Sequence, residues 1–395
     1  MLLVLIAIFM VFVLWLFVVD YMRKVKPGED VLLTFIVPCY NDAATVGDTI
    51  DSIYASYPHD KIILYVINDK STDNSWEIIA AKQKQYGFSF LQNEVNQGKV
   101  ATINNTIDLV QTDHFIIVDA DTHMATKALH DMLGRIQYNK NVAAVSCYYK
   151  PINGWFLALM QGIEYHMLAL IQWAYNIWST VSLRWGCMMV QTNACRQIGK
   201  FNLSAIVEDM DMAFRLNLHG YRVEQSYVAV ATHVPDTLKT RFKQKIRWNS
   251  WGFQCFVTYP RVWIKNPIHV IFTLLTNGLF LFISINIYKQ FLTLETFAGL
   301  FFGLIDVMTF RQSVLTMISL YTAKIWEAFS TKLAYTMFSI PYVFPYFLRL
   351  HTLRKVLLIF PFVWIYVPLF SILWIFGFIW WIYRTLQLRS WRRAR

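Results

Sequence analysis

Phe115-Ile116-Ile117-Val118-Asp119-Ala120-Asp121 runs four apolar residues straight into two acids one residue apart. A short uninterrupted apolar run fits a strand buried on both faces, as in a parallel sheet under helices. Side chains at i and i+2 of an extended segment share a face. Asp119 and Asp121 are therefore expected to point together at a strand's C-terminal end, the edge where open α/β sheets bind ligands. Paired carboxylates there suit a hard divalent cation, Mg2+ or Mn2+, with the remaining positions left to water and phosphate oxygens. A strand followed by an Asp-containing turn accounts for the same residues, so their surroundings decide.

Upstream, residues 32–37 form a buried-strand pattern that ends at Pro38-Cys39-Tyr40-Asn41, and 42–57 reads as a helix. A second apolar strand, 61–67, runs into Asn68-Asp69-Lys70-Ser71-Thr72-Asp73. Ser71, Thr72 or Asp73 is expected to cap the helix that follows. Ser89-Phe90-Leu91 begins a short strand, and Asn96-Gln97-Gly98-Lys99 opens another helix. Beyond the acid pair, residues 142–147 make a further strand. Strands alternating with helices across short connections predict an α/β fold, a mostly parallel sheet with helices on both faces. The polar clusters at Asn41, at Asn68 and Asp69, and at Asp119 and Asp121 then fall on one edge, where a nucleotide site is the simplest explanation. The glycine-rich dinucleotide fingerprint and the Walker A pattern are both absent, which disfavours dehydrogenases and P-loop enzymes.

Two constellations lie downstream. Val207-Glu208-Asp209-Met210-Asp211 opens a predicted helix that stops near Gly220, and acids there also complement the helix dipole. Gln244, Arg247 and Trp248 share one helical face. The same segment reads as a basic amphipathic helix on a membrane surface, with Trp248 and Trp251 at the interface. His123, two residues past the acid pair, is placed to complete a metal shell, and His233 precedes the basic helix.

The 395 residues are 56% apolar and only 15% charged, too apolar for an ordinary soluble protein. The excess sits in residues 1–19 and 268–383. The net charge of +11 crowds beside those runs, at 23–26, 239–247 and 384–395, which fits an anionic membrane surface and not a nucleic-acid groove. Residues 1–22 are expected to be a retained transmembrane anchor, 30–252 a cytosolic domain that includes the interfacial helix, and 253–395 a C-terminal membrane region with further interfacial helices. Candidate spans are 268–286, 294–310, 330–350 and 356–382. Five cysteines, without a Cys-x-x-Cys, indicate a reduced compartment and no structural zinc.

In this order and spacing, Pro38-Cys39-Tyr40-Asn41, Asn68-Asp69-Lys70-Ser71-Thr72-Asp73, Asn96-Gln97-Gly98-Lys99, Asp119-Ala120-Asp121, Glu208-Asp209 and Gln244-Lys245-Ile246-Arg247-Trp248 resemble the membrane-embedded, processive glycosyltransferases of family 2. These include cellulose, hyaluronan, chitin-oligosaccharide and poly-N-acetylglucosamine synthases. The chain departs from them at Lys70, where the family has Gly, and at Val207, where it has Thr. In Arg184-Trp185-Gly186-Cys187-Met188-Met189, only Gly186 matches the family's Ser-Gly element near the acceptor.

The resemblance implies a GT-A-type fold and a metal-dependent, inverting polysaccharide synthase of the cell membrane, with its catalytic domain in the cytosol. Such an enzyme moves sugar from a UDP-sugar, here UDP-N-acetylglucosamine, to a growing glycan and passes the chain across the membrane. It implies Asp209 as general base with Glu208 orienting it, Asp121 and Asp119 as metal ligands, and Asp119 also near the ribose. The donor would meet Pro38, Tyr40, Asp69, Lys99, Gln244 and Arg247, and the acceptor Trp248 and Gly186. Partners are then the donor, the glycan, membrane lipids and room for an accessory membrane subunit, but no nucleic acid. A non-processive enzyme that glycosylates polyprenyl phosphate or ceramide would share the nucleotide site. A catalytically dead scaffold would share the fold, and the intact Asp119, Asp121 and Asp209 oppose it.

Overall fold

The computed structural model describes residues 11, 12, 15, 16, 18–23, 25–153, 156–177, 179, 186–205, 207–265, 366, 382 and 383. In chain order the elements are β1 Leu33–Cys39, α1 Val46–Ser56, β2 Ile62–Asn68, α2 Ser75–Tyr86, β3 Ser89–Gln92, α3 Lys99–Ile107, β4 His114–Val118, β5 Thr122–His123, α4 Thr126–Tyr138, β6 Val142–Pro151, α5 Phe156–Tyr175, β7 Cys187–Gln191, α6 Thr192–Gln197, α7 Glu208–Leu218, β8 Arg222–Thr232, α8 Leu238–Thr258 and α9 Pro260–Lys265.

The strands form one sheet in the order β3-β2-β1-β4-β7-β6-β8-β5. β3, β2, β1 and β4 are parallel neighbours, the arrangement their apolar runs predict. Alternation along β1 explains why no polar face is left. Leu33, Phe35 and Val37 enter one core with Ile50 and Ile53 of α1 and Leu129 and Met132 of α4. Ile36 enters the other with Ile103 and Ile107 of α3 and Met212 and Leu216 of α7. β4 divides likewise, Ile116 and Val118 to the first core and Phe115 and Ile117 to the second.

The sheet is mixed beyond β4. β7 inserts antiparallel between β4 and β6, β8 pairs parallel with β6, and the short β5 runs antiparallel to β8. β5 and β7 thus run against the other strands, so "mostly parallel" describes strand direction but not the pairing in this half. Nothing local in Cys187–Gln191 marks it as reversed, since buried parallel and antiparallel strands share one apolar pattern.

Helix α2 begins after Asn74, not after Ser71, Thr72 or Asp73. The Asp73 carboxylate instead accepts the Ser75 amide and hydroxyl at 3.0 and 2.5 Å and the Ala43 amide at 3.0 Å. It joins two loops of the sheet edge as well as starting a helix.

The segment before β1 crosses α4 at a contact only glycine allows. A Cβ on Gly134 would lie 2.0 Å from the Lys26 carbonyl oxygen, and the Gly28 amide donates to the His130 carbonyl at 2.8 Å. Gly134→Ala is expected to destabilise the domain by roughly 1–3 kcal/mol, the cost of overpacking against backbone that cannot yield. Chemical denaturation of wild type and variant measures it, and an unchanged midpoint would contradict the contact.

Residues Val11–Asn266 form one compact unit. Within it, Asp20 and Arg23 at the end of the apolar N-terminal run are tied to Glu224 of β8 and Asn176. The second unit, Met1–Met10 with Pro267–Arg395, lies almost wholly outside the described residues, and so do the four candidate spans. Most of the expected anchor lies outside them as well. Among the described residues, no helix is long and apolar enough to cross a membrane.

Candidate active site

The C-terminal ends of β1, β2 and β4 form one edge, as expected, and their loops interlock there. The Asp69 amide donates to the Cys39 carbonyl at 2.8 Å. Asn41 accepts the Thr72 amide at 2.8 Å, and its own amide donates to the Ser71 hydroxyl at 3.0 Å. Asn41 and Lys70 both hold positive φ, 58° and 62°. Asn tolerates this region, whereas Lys is strained in it. That strain gives a physical reason for glycine at position 70 in the enzymes this chain resembles. Lys70→Gly is expected to stabilise the domain by about 0.5–1 kcal/mol, the left-handed penalty less glycine's larger unfolded-state entropy. A fall in melting temperature would contradict this.

Pro38 sits inside β1 opposite Ile67 and is buried, because the strand continues past it to Cys39. It shapes the edge without exposing its ring. Tyr40, the next residue but one, is 48% exposed. Asp69 is 3% exposed, and its carboxylate accepts the Asn93 side-chain amide at 2.7 Å and the backbone amides of Gln97 and Gly98 at 2.9 and 2.8 Å. It therefore holds the loop that delivers Lys99. Asn93 carries no motif signal in the sequence.

The chain does not stay extended through the acid pair. The Thr122 amide donates to the Asp119 carbonyl at 3.0 Å, so the two acids sit in the turn between β4 and β5. The Asp119 amide donates to the Gly186 carbonyl at 3.1 Å, and the Thr49 hydroxyl to the Ala120 carbonyl at 2.9 Å. Thr122 and Thr232 hydroxyls donate to Asp121 at 3.2 and 3.3 Å. Lys99 donates to Asp119 at 2.5 Å. Burial opposes the charge on Lys99, yet Asp119 foremost, then Glu208 and Asp121, outweigh it and its pKa is raised. Burial, reinforced by Asp119, pushes Asp121 up to about 6. Burial also raises Asp42, which Asp119 pushes further, so a third acid faces the site that the sequence pattern did not single out.

Among the described residues no set of three or more His, Cys, Asp or Glu side chains comes together to hold a metal ion. The donor set is a pair of carboxylates in a crowded acidic environment. That fits a Mg2+-like cation completed by waters and diphosphate oxygens, and does not fit a cation held by protein alone. The ring centroids of His123 and His233 are 6.0 Å apart, edge to face, and the His233 amide donates to the Asp121 carbonyl at 3.2 Å. Among the described residues, His123 Nε2 is buried without a hydrogen-bond partner.

Glu208 and Asp209 open α7 after Val207. Burial raises the Glu208 pKa, against the pull of Lys99 and Arg247, so its field is that of the acid pair. Asp209 is 7% exposed and accepts the Met210 amide at 2.6 Å. Asp211 is tied to Arg215 at 2.7 Å, to Asn202 at 3.2 Å and to Tyr259.

Gly186 acts through its missing side chain. A Cβ there would lie 2.8 Å from the Tyr149 ring, whose hydroxyl accepts the Cys187 amide at 3.1 Å. It supports the Asp119 turn from below, with Tyr149 as its unforeseen partner. On α8, Arg247 is exposed, and Gln244 accepts from Arg241. Trp248 packs against two apolar clusters, that of Val207, Phe214 and Val262 and that of Ala158, Tyr165 and Val234. Its ring is thus wedged between α7 and α5.

Residues 34–199 match the family described as Glycosyl transferase family 2. The chain is 29% identical over 227 residues to the poly-beta-1,6-N-acetyl-D-glucosamine synthase of Staphylococcus epidermidis, covering 56% of this chain and 55% of that one. It is 28% identical over 226 residues to the enzyme of the same name from Staphylococcus aureus strain COL, at the same coverage. The chain thus spans about half the length of the curated relatives it matches. Among solved structures, the mannosyltransferase PcManGT from Pyrobaculum calidifontis, in complex with GDP-Man and Mn2+, superposes with a TM-score of 0.50 at 19% identity, over 86% of this chain and 97% of that one. Residues 34–199 are thus similar to a glycosyl transferase family 2 domain, and the fold is mixed α/β and GT-A-like. The family match ends before Glu208 and before α8.

Proposed function

We propose that this domain transfers sugar from a UDP-sugar, UDP-N-acetylglucosamine by preference, to a growing glycan as an inverting polysaccharide synthase at a membrane. One observation carries the reading. Lys99, Asp119, Asp121 and Glu208, from separate chain segments, share one electrostatic field at the sheet edge, and Arg247 extends it to α8. Acids able to take a cation beside cations able to take phosphates are what a nucleoside diphosphate leaving group needs. The preference for N-acetylglucosamine follows the names of the staphylococcal relatives.

Asp121 and Asp119 would hold Mg2+ or Mn2+ together with the diphosphate. Bound there, such a cation neutralises charge developing on the leaving group as a Lewis acid. Lys99 and Arg247 supply fixed positive charge to the same phosphates. Tyr40 and the loop ordered by Asp69 would meet the nucleotide. Asp209 accepts the acceptor hydroxyl's proton as it attacks the anomeric carbon. One base and no second nucleophile give a single displacement, hence inversion. Trp248 borders the acceptor, and Gln244 the donor.

The apolar runs at 1–19 and 268–383, with their basic flanks, support a multi-pass membrane protein whose domain faces the cytosol. A reporter fused after Arg395 is then expected to report cytosol, and one fused before Met1 the outside. Opposite signals at either end overturn this topology.

The function is tested by incubating the purified full chain with a panel of labelled UDP-sugars, with and without Mg2+ or Mn2+, and reading product size. A polymer ladder from UDP-N-acetylglucosamine is expected. A single-sugar lipid would make the chain a lipid glycosyltransferase, and no turnover of any donor would overturn the reading.

A further inference from the structure

A carboxylate on another helix ties α8 to the domain. Glu164 of α5 pairs with both Arg241 and Lys245. The Arg241 side chain is 0% exposed, that of Lys245 10% and that of Glu164 15%. The Arg241 guanidinium lies 5.5 Å from the centre of the Tyr165 ring and 5.3 Å from that of Trp248. Lys245 Nζ lies 5.0 Å from the same indole. Arg241 also donates to Gln244. One guanidinium therefore touches both Gln244 and Trp248, and neither Glu164 nor Arg241 belongs to the Gln-x-x-Arg-Trp pattern.

Two buried basic side chains here share one carboxylate, and burial lowers the Lys245 pKa to about 7, so Arg241 carries the permanent charge. Without the carboxylate both lose an ion-pair partner, and breaking a buried pair by removing one partner is strongly disfavoured. Arg241 would then turn toward water, leaving the Gln244 amide oxygen and the Trp248 ring. The same aromatic group reaches the acid turn. Tyr165 meets Tyr149 edge to face at 6.1 Å, and Tyr149 lies over Gly186, whose carbonyl holds the Asp119 amide.

We propose that Glu164, acting through Arg241, is a positioning residue that sets the orientation of Trp248 at the acceptor side of the site. The proposal rests on the glycan-transfer reading above and refines its acceptor subsite. Glu164 itself touches no substrate.

The test uses the full chain with Glu164→Gln, Glu164→Asp, Arg241→Lys and the Glu164→Gln/Arg241→Lys double variant. Donor and acceptor oligosaccharide are varied separately. Glu164→Gln is expected to lose about tenfold or more in kcat/KM for the acceptor, while donor KM stays within about twofold. Glu164→Asp should recover most of that loss. The double variant should be no worse than the poorer single one, because both remove one interaction. A loss that is equal for donor and acceptor and tracks the folded fraction means a purely structural role and overturns the proposal, as do additive effects. Should Glu164→Gln fail to fold, the acceptor-against-donor split in Arg241→Lys decides the matter. A wild type that turns over no donor is a different result, which removes the glycosyltransferase reading and this proposal with it.

Discussion

Asp209→Asn is expected to lower the transfer rate by about 10²–10⁴-fold while leaving UDP affinity nearly unchanged, since this is the usual loss of a general base. The residue lies in the first turn of α7, where the helix dipole favours a carboxylate. Its carboxylate accepts the Met210 amide at 2.6 Å, next to Glu208 of the acid cluster. The proposed reading places it at the acceptor and not at the nucleotide. A purely structural carboxylate there predicts another outcome, a stability loss of about 1 kcal/mol with activity falling only as folded protein falls. Melting temperature, UDP affinity and transfer rate on one preparation separate the two. Near-normal transfer would move the base to Glu208, which shares a field with Lys99, Arg247 and Asp119. Asp211 is no alternative, because Arg215, Asn202 and Tyr259 already engage its carboxylate. Loss of UDP binding as well would place Asp209 on the donor side.

Asp121→Asn is expected to abolish transfer and metal-dependent UDP binding, yet to stabilise the metal-free protein. Burial and the like charge of Asp119 hold Asp121 at about 6, above its ordinary 3.8. A carboxyl with a raised folded-state pKa binds its proton more tightly when folded, so it costs stability as pH rises through that interval, and the cost is complete at neutral pH. Asn keeps an acceptor for the Thr122 and Thr232 hydroxyls and removes the repulsion. The metal-free variant should therefore melt a few degrees higher at neutral pH, about 2–4 °C per kcal/mol recovered. Adding Mn2+ with UDP should raise the melting temperature of the wild type and leave that of Asp121→Asn unmoved. Unchanged metal dependence in the variant would remove Asp121 from the metal site. A lower metal-free melting temperature would contradict the electrostatic account.

Local pattern was enough to read the parallel half of this domain. Apolar runs at 32–37, 61–67 and 115–118 allow burial on both faces, short connections demand crossover helices, and a parallel sheet then brings every strand's C-terminal end to one edge. Asn41, Asp69, Asp119 and Asp121 had to meet there. The acids of α7 and the aromatic and basic face of α8 were legible for the same reason, because helix starts and helix faces are local. Other features rest on which distant strands and helices meet. The reversed β7 between β4 and β6 brings Gly186 under the Asp119 turn, and β8 delivers Thr232 to Asp121. The turn at Ala120 exists because Thr49 and Gly186 hold it from other elements. Glu164 meets Arg241 across 77 residues. Periodicity along a chain records which side chains must be buried, while strand order and helix docking settle which buried groups face one another.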